Sequence, residues 1–515
     1  MSAGTLAARQ AGAGPRQDRG PGFGELLHAE WTKFRTVRGW IIGMIIAALV
    51  IVGIALLDHS SCGTVEPGTT RGVGCSAPIG PGGEAVTDNF YFVHQPLAGD
   101  GTITTRMTSL TAGQGPAGLQ PWSKAGIIIK AGTRPGSPYA AMMATAGHGV
   151  RMQYNYTGDI AGTRGAVSPA SPRWLRLTRS GGSITGYDSA DGTHWTTVGT
   201  VHLARLAATV QAGLFAASPG SSATTSQSIS GSSAGGALTL ATARFDHVSL
   251  RGRQPGGAWA GDDVGGSPGN GAPAGLGFHQ TGGSISVTGT GDIAPGAGGT
   301  PIERTLFGAF GGLIAVIVVA AMFMTAEYRR GLIRVTFSAT PGRGRVLAAK
   351  AVVIAAVTFI AGLAGSAAAL ALGEQLLRSN GNFILPVSVF TEARVLAGTA
   401  ALLAVAAVLA LAVGTILRSS AGAITAVVVG FVLPYFFAAA LPVLPAGAAG
   451  WLLRVTPAAG FAVQQTMVPY PQVAASYPPS QGYFPLAPWA GFAVLCGYAA
   501  LALILAVILL RRRDA

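Results

Sequence analysis

The stretch TAEYRRGLIRVTFSATPGRGRVLAAK (residues 325–350) places six basic residues and one acidic residue between two long apolar runs. Such a cluster suits three kinds of chemistry: contact with nucleic-acid phosphates, contact with anionic lipid, or docking of another protein. Its Gly-containing end, GRGRVLAAK (342–350), lacks the GxxxxGK[ST] spacing that cradles nucleotide phosphates. No other stretch supplies that loop, so any use of ATP must reside in another polypeptide. Thiol chemistry rests on three cysteines. Cys62 and Cys75, twelve residues apart just after the first apolar run, fit a disulfide in an oxidising compartment, or two free thiols in a loop. Closing a loop of that size would contribute on the order of 3 kcal/mol. Cys496 lies within the last apolar run.

The elements that position these residues follow from composition. Of 515 residues, 49% are hydrophobic and 10% charged, against about 25% charged in a soluble domain. Apolar runs near the spanning length occur at Trp40–Leu57, Thr305–Met324, Ala351–Leu372, Val395–Leu417, Ala421–Ala446 and Trp489–Leu510. None has an Asp, Glu, Lys, Arg or His in its interior, which argues against proton coupling at the bilayer midplane. Pro434, Pro442 and Pro445 are the strong helix breakers, and they are expected to kink the fifth run.

Charge orients the spans. With the N-terminus inside, residues 1–39, 325–350, 418–420 and 511–515 hold sixteen Lys and Arg, while the two short outer loops hold only Arg378, Arg394 and Arg454. Both termini are then cytoplasmic, and residues 58–304 lie on the outer side. This removes the nucleic-acid reading of 325–350, because so short a loop is pinned to the bilayer at both ends.

Residues 78–250 read as β-structure. GTITTRMTSL (101–110), AGIIIKAG (125–132), PYAAMMATA (138–146), GVRMQYNY (149–156), RWLRLTR (173–179) and VQAGLFAAS (210–218) are short runs divided by turn residues. Asp191-Gly192 is a hairpin signal. The spacing predicts an all-β sandwich or jelly roll. Residues 219–237 and 252–300 are Gly/Ser/Pro-rich and read as tether, with SISVTGTGDIAP (284–295) as one more candidate strand.

The order WSKAGIIIKAG, SPYAAMMATAGHGVRMQY, WLRLTRSGGSITGYDSADGTHWTTVGT, ARFDHVSL resembles the concanavalin-type lectin/glucanase sandwich in its laminin-G-like branch. That resemblance implies a sugar or matrix ligand, for which Trp122, Tyr139, His148 and Tyr154 are the candidate stacking residues; the favoured reading of the same four is as core aromatics of the sandwich. The hydrolases of that fold carry Glu-x-Asp-x-Glu on one strand, and this chain has no such pattern. Without two placed carboxylates, glycoside hydrolysis is not expected.

In FGELLHAEWTKFRTVRGW, before the first span, Leu27, Trp31 and Phe34 fall at i, i+4 and i+7, with Glu30, Lys33, Arg35 and Arg38 elsewhere. This is an amphipathic interfacial helix. WLLRVTPAAGFAVQQTMVPYP (451–471) is expected to rest on the outer surface as a short amphipathic helix. EWTKFRTVRGW, TAEYRRGLIRVTFSATPGRGRVLAAK and LLRVTPAAGFAVQQ together resemble ABC-2-type permeases of high-GC Gram-positive (actinobacterial) origin. The resemblance implies a six-span half-transporter that pairs with a second copy or a related subunit. It also implies a separate ATPase that hydrolyses the ATP, and a coupling helix in the 325–350 loop. On it, Glu327, Tyr328, Arg329, Arg330, Gly331 and Arg334 match the motif after the second span, and Pro341, Arg343 and Arg345 match the entry to the third. Leu332, Val335 and Phe337 would be the apolar knobs. Arg343, Arg345, Lys350 and Arg511–Arg513 are read as topology signals and lipid contacts.

The sequence thus predicts a six-helix membrane protein with an inserted β-sandwich. Its parts are an N-terminus with the interface helix (1–39), a first span (40–57), a Cys-containing linker (58–77), the sandwich (78–250), a linker (251–304) and spans two to six (305–515). The expected function is a bacterial cytoplasmic-membrane permease subunit exporting a hydrophobic or amphipathic compound, with no metal or cofactor of its own and no nucleic-acid partner. The competing reading is a six-span envelope sensor or glycan-binding protein working through its sandwich.

Overall fold

The computed structural model describes residues 22–57, 77–113, 118–204, 206–222, 236–253, 257–266, 274–296, 299–329, 331, 342–439, 446–473 and 482–513. Cys62, Cys75, Arg330, Leu332, Arg334, Val335, Phe337 and Pro341 lie outside them.

Helix α1 (Phe23–Thr36) is followed at once by α2 (Arg38–Leu56). The helical part resumes after the β-domain with a 3-10 turn (Ile302–Leu306), α3 (Ala309–Arg329), α4 (Arg343–Ser379), α5 (Val389–Leu417), α6 (Ser420–Ala439), α7 (Ala446–Val455), a second 3-10 segment (Pro457–Gln464) and α8 (Pro488–Arg513). Six of these helices, all but α1 and α7, are long and apolar enough to cross a membrane. Each falls on an apolar run read from the sequence. Helix α4 is much longer than its run, because polar turns at both ends extend the helix beyond the apolar stretch.

Helix α5 is the centre of the bundle, with Leu402, Leu403, Ala406, Ala407, Ala410 and Leu411 buried against its neighbours. The small residues of α2, α3 and α4 let backbones meet. A Cβ at Gly308 would run into the Ile51 carbonyl, and one at Gly312 into the Ile51 side chain. At Gly365 it would press on Ala48, and at Gly373 on Thr305.

The β-domain has two layers that share one strand. β2 (Phe90–Ala112) pairs through its first half with β10 (Thr209–Ala217) and β14 (Ala260–Val264), and through its second half with β7 (Arg173–Ser180) and β13 (Ala241–Arg253). Gly99, at φ +71° between the halves, takes a backbone conformation that favours glycine. From β10 one layer continues through β3 (Lys124–Lys130), β4 (Tyr139–Thr145), β5 (Gly149–Tyr154) and β6 (Gly158–Ala161). The other adds β8 (Ser183–Ser189) and β9 (Thr196–His202) beyond β7, and β15 (Gly277–Thr281) with β16 (Ser284–Gly289) beyond β13. Two small pairs complete it: β1 (Val86–Asp88) with β17 (Ile293–Pro295), and β11 (Ser221–Ser222) with β12 (Gly236–Ala237).

Strands β14 to β17 lie where the composition reads as linker. Two of them, β16 and β17, fall within SISVTGTGDIAP, the candidate strand of that region, and Ile285 and Val287 enter the core. That core also holds Ile127, Ile129, Met142, Met152, Leu175 and Leu177 between the layers. A second apolar cluster, with Phe90, Phe92, Tyr139, Tyr156 and Phe215, covers the outer face of the β3–β4 layer.

Candidate functional site

The stripe of α1 that packs inward is Leu26, Glu30 and Phe34, at i, i+4 and i+8. An ionisable residue therefore sits in the middle of the apolar face. Leu26 packs on Val346 and Ala349 of α4, and the Phe34 ring meets Phe323 of α3 edge-on at 5.7 Å. Trp31, expected on the buried face, is 44% exposed and stacks on the side of Phe34. At 100° per residue the stripe lies one residue earlier than Leu27–Trp31–Phe34, and Leu27 is only half buried at its edge.

Glu30 meets two other helices. The Lys350 Nζ donates to Glu30 Oε2 at 2.6 Å and to Glu327 Oε1 at 2.7 Å. Lys33 Nζ donates to Glu30 Oε1 at 2.7 Å and to Glu327 Oε1 at 3.2 Å. The Lys350 ammonium also sits 4.6 Å from the Phe323 ring centre, where the ring quadrupole favours a cation. Two carboxylates and two ammoniums sum to zero, which is the condition for burying ions at tolerable cost. Burial disfavours the charged Lys33, but its hydrogen bonds and attraction to Glu30 and Glu327 outweigh that and raise its pKa. Lys350 is 1% exposed, so it cannot be the lipid-facing cation that its position in the sequence implied.

The cluster ties α1 to the last turn of α3 and the second turn of α4, the two helices that bracket residues 330–342. Of the candidate loop residues, Glu327 is in the cluster and Tyr328 packs on the bundle core, with the Arg418 guanidinium 5.3 Å from its ring centre. Nearby, Thr325 and Ser420 hydroxyls lie 2.9 Å apart, joining α3 to the α5–α6 turn. Arg329 and Arg35 are exposed, and Gly331 takes φ +67°.

At the opposite end of the bundle, residues 457–464 do not rest on a surface. Ala458 through Gln465 are all buried between α5 and α8. The Arg394 guanidinium donates to the Val463 and Gln465 carbonyls at 3.2 and 2.8 Å, and Gln464 Nε2 donates to Thr399 Oγ1 at 3.0 Å. Glu303 accepts from the Thr466 amide and hydroxyl at 3.0 and 2.6 Å. Farther along, Gln472 Nε2 donates to the Tyr156 and Thr157 carbonyls at 3.4 and 3.0 Å, which seats the β-domain on this segment.

The four aromatic candidates of the β-domain do not converge. Trp122 stacks on His148 at 3.8 Å near one end of β4, with the Arg151 guanidinium 5.6 Å from the Trp122 ring. Tyr139 begins that strand, about 20 Å away, and Tyr154 lies across from Ala140. Tyr139 is fully buried, so it cannot stack on a sugar. It closes instead over a buried ion pair: Lys130 Nζ donates to Asp88 Oδ2 at 2.7 Å, and the Tyr156 hydroxyl donates to the same oxygen at 2.7 Å. Burial lowers the Lys130 ammonium pKa and raises the Tyr139 phenol well above its usual range. Lys124 makes a second such pair with Asp292 at 2.6 Å. Among the described residues no group of His, Cys, Asp and Glu could hold a metal ion.

Comparison with known proteins assigns about two-thirds of the chain, from the middle of the β-domain to α8. No curated protein matches the chain. Several solved structures match, and three of them illustrate the likeness, each over about two-fifths of the chain or less. A functionally unknown protein from Saccharomyces cerevisiae is 16% identical over 39% of this chain and 96% of its own, with a TM-score of 0.23. A mutant of the GH43 protein BlXynB from Bacillus licheniformis is 15% identical over 23% of this chain and 24% of its own, at 0.18. Scytalido-glutamic peptidase is 7% identical over 40% of this chain and all of its own, at 0.24. At those scores none bears on function. The model of the family described as ABC-2 family transporter protein matches residues 182–515, and this chain belongs to that family.

Proposed function

We propose that this chain is the permease subunit of an ABC transporter whose ATP is hydrolysed on a separate ATPase subunit, docked against α1 and the 325–350 segment. The observation that carries this reading is the neutral four-charge cluster. It joins α1 to the ends of α3 and α4, so a push on either reaches the bundle without a flexible joint. Two six-helix units would make one transporter, as two copies or as a pair of related subunits. The absence of a GxxxxGK[ST] loop supports a partner for the energy source. The Lys and Arg distribution supports a cytoplasmic-membrane protein with cytoplasmic termini and an outward β-domain. Walls of Ala, Val, Leu and Gly without a fixed charge suit export of a hydrophobic or amphipathic compound.

The test is purification of the tagged full chain in mild detergent from its own membranes. An ATPase with a phosphate-binding loop should co-purify, and its ATP hydrolysis should fall on replacing Glu327 with Lys. If no such subunit is recovered, or the variant hydrolyses ATP as the parent does, the permease reading fails. A sensor working through the β-domain would then be the remaining reading, and a glycan array on the full chain would test it.

A further inference from the structure

Where α4 begins and α8 ends, the structure has a cleft of about 700 Å³, lined by Phe23, by residues 342 to 345 and by Arg511. That volume is within the range of small-molecule sites. Three guanidinium groups from two helices, Arg343, Arg345 and Arg511, line it, and among the described residues no carboxylate does. The cleft is built, since Arg343 Nη1 donates to the Leu510 carbonyl at 2.8 Å and so joins the start of α4 to the end of α8. Helix α4 starts on Gly342, with no side-chain cap, so its first amides and the positive end of its dipole add to the field.

A second observation selects the occupant. Leu501, Ile504, Leu505 and Ile508 form an exposed apolar stripe on α8. One helical step further, on the same face, is Arg511 at the cleft. Phe23, 41% exposed, adds an apolar rim. A basic cleft for a phosphate therefore lies at the end of an apolar track long enough for acyl chains.

We propose that this cleft binds the headgroup of an anionic phospholipid, with its acyl chains along the exposed face of α8. The lipid would bridge the start of α4 and the end of α8, beside the turn of α4 that carries Lys350. This inference requires that the helices cross a bilayer; it is independent of the ATPase reading.

The experiment measures lipid binding to the delipidated full chain by native mass spectrometry, with phosphatidylglycerol, phosphatidylcholine and inorganic phosphate as separate probes. Phosphatidylglycerol should bind more tightly than phosphatidylcholine, and phosphate at millimolar levels should not displace it. Each arginine near an anionic headgroup is worth about fivefold in affinity. A triple R343Q/R345Q/R511Q variant should therefore bind roughly a hundredfold more weakly. A control with R378Q/R454Q, at the other end of the bundle, should bind as the parent does. Should the triple variant fail to fold, R345Q and R511Q alone should each lose about fivefold. Equal binding of both lipids, displacement by phosphate, or parental affinity in the arginine variants would overturn the proposal.

Discussion

Replacing Lys350 with Met removes the more buried of the two ammoniums that bridge the carboxylates of α1 and α3. Its side chain is 1% exposed, and those of Glu30 and Glu327 are 4% and 12% exposed. The variant leaves both carboxylates to share Lys33, whose side chain is 43% exposed. The cluster then carries a net negative charge in a poorly solvated site. Stripping one partner from a buried pair costs about 3–5 kcal/mol, whereas a surface pair is worth 1 kcal/mol or less, on the order of its measured median. A second change, Glu327 to Gln, restores neutrality and should recover most of the loss. The pair should therefore couple by at least about 2 kcal/mol, well above the additivity error for independent sites. SDS titration of the protein in mixed micelles, followed by tryptophan fluorescence, gives the four corners of the cycle. Trp31 and Trp40 report locally, since both rings sit beside the Phe34–Phe323 contact. If K350M unfolds within 1 kcal/mol of the parent, or if the double variant is no more stable than K350M, the cluster does not hold these helices together.

Three further outcomes are expected. In the β-domain, Lys130 to Met leaves the Asp88 carboxylate buried with only Tyr156 and the Gly136 amide as donors, at an expected cost of about 3–5 kcal/mol; limited proteolysis of the full chain should show it, and adding Asp88 to Leu should reverse most of it. At the β8–β9 turn, Asp191 accepts from the Thr193 and His194 amides and pairs with the His194 ring at 2.6 Å, which lowers the Asp191 pKa and raises that of His194. The His194 contribution is complete below its ordinary value of 6.5 and is lost as pH rises through the raised one, while that of Asp191 is present above 3.8 and is lost as pH falls through the lowered one. Amide protection at 193 and 194, corrected for intrinsic exchange, should thus peak between those values, and His194 to Asn should remove the decline on the alkaline side. Finally, Gln472 to Ala deletes two hydrogen bonds between the β-domain and the bundle, worth about 1–2 kcal/mol together; cleavage at residues 156–157 by an added protease should speed up about 5–30-fold, and an unchanged rate would mean that the seat lies elsewhere.

The six long helices were legible because a run of some twenty apolar residues has few other uses. The strands were legible wherever apolar and polar residues alternate, as in RWLRLTR. The first half of β2 was not, because Pro96 and Gly99 read as turn signals although the strand continues through them. The four-charge cluster was beyond reach for a different reason. Glu30 and Lys350 are 320 residues apart, and Lys33 and Glu327 are 294 apart, so no local pattern pairs them. One trace existed: Glu30 lies four residues from both Leu26 and Phe34, a charge inside an apolar stripe. Lys124 and Lys130 left a similar trace, six residues apart around AGIII and therefore on one face of the strand.

The contacts at Gly308, Gly312, Gly365 and Gly373 bear on how this bundle can move. Between most helices a layer of side chains changes rotamer as the helices shift, and absorbs small displacements. Where backbone rests on backbone, as at Gly308 on Ile51 and at Gly365 on Ala48, there is no such layer to absorb them. Helix α2 is therefore coupled closely to α3 through Gly308 and Gly312 and to α4 through Gly365, and relative motion is easier where side chains separate the helices.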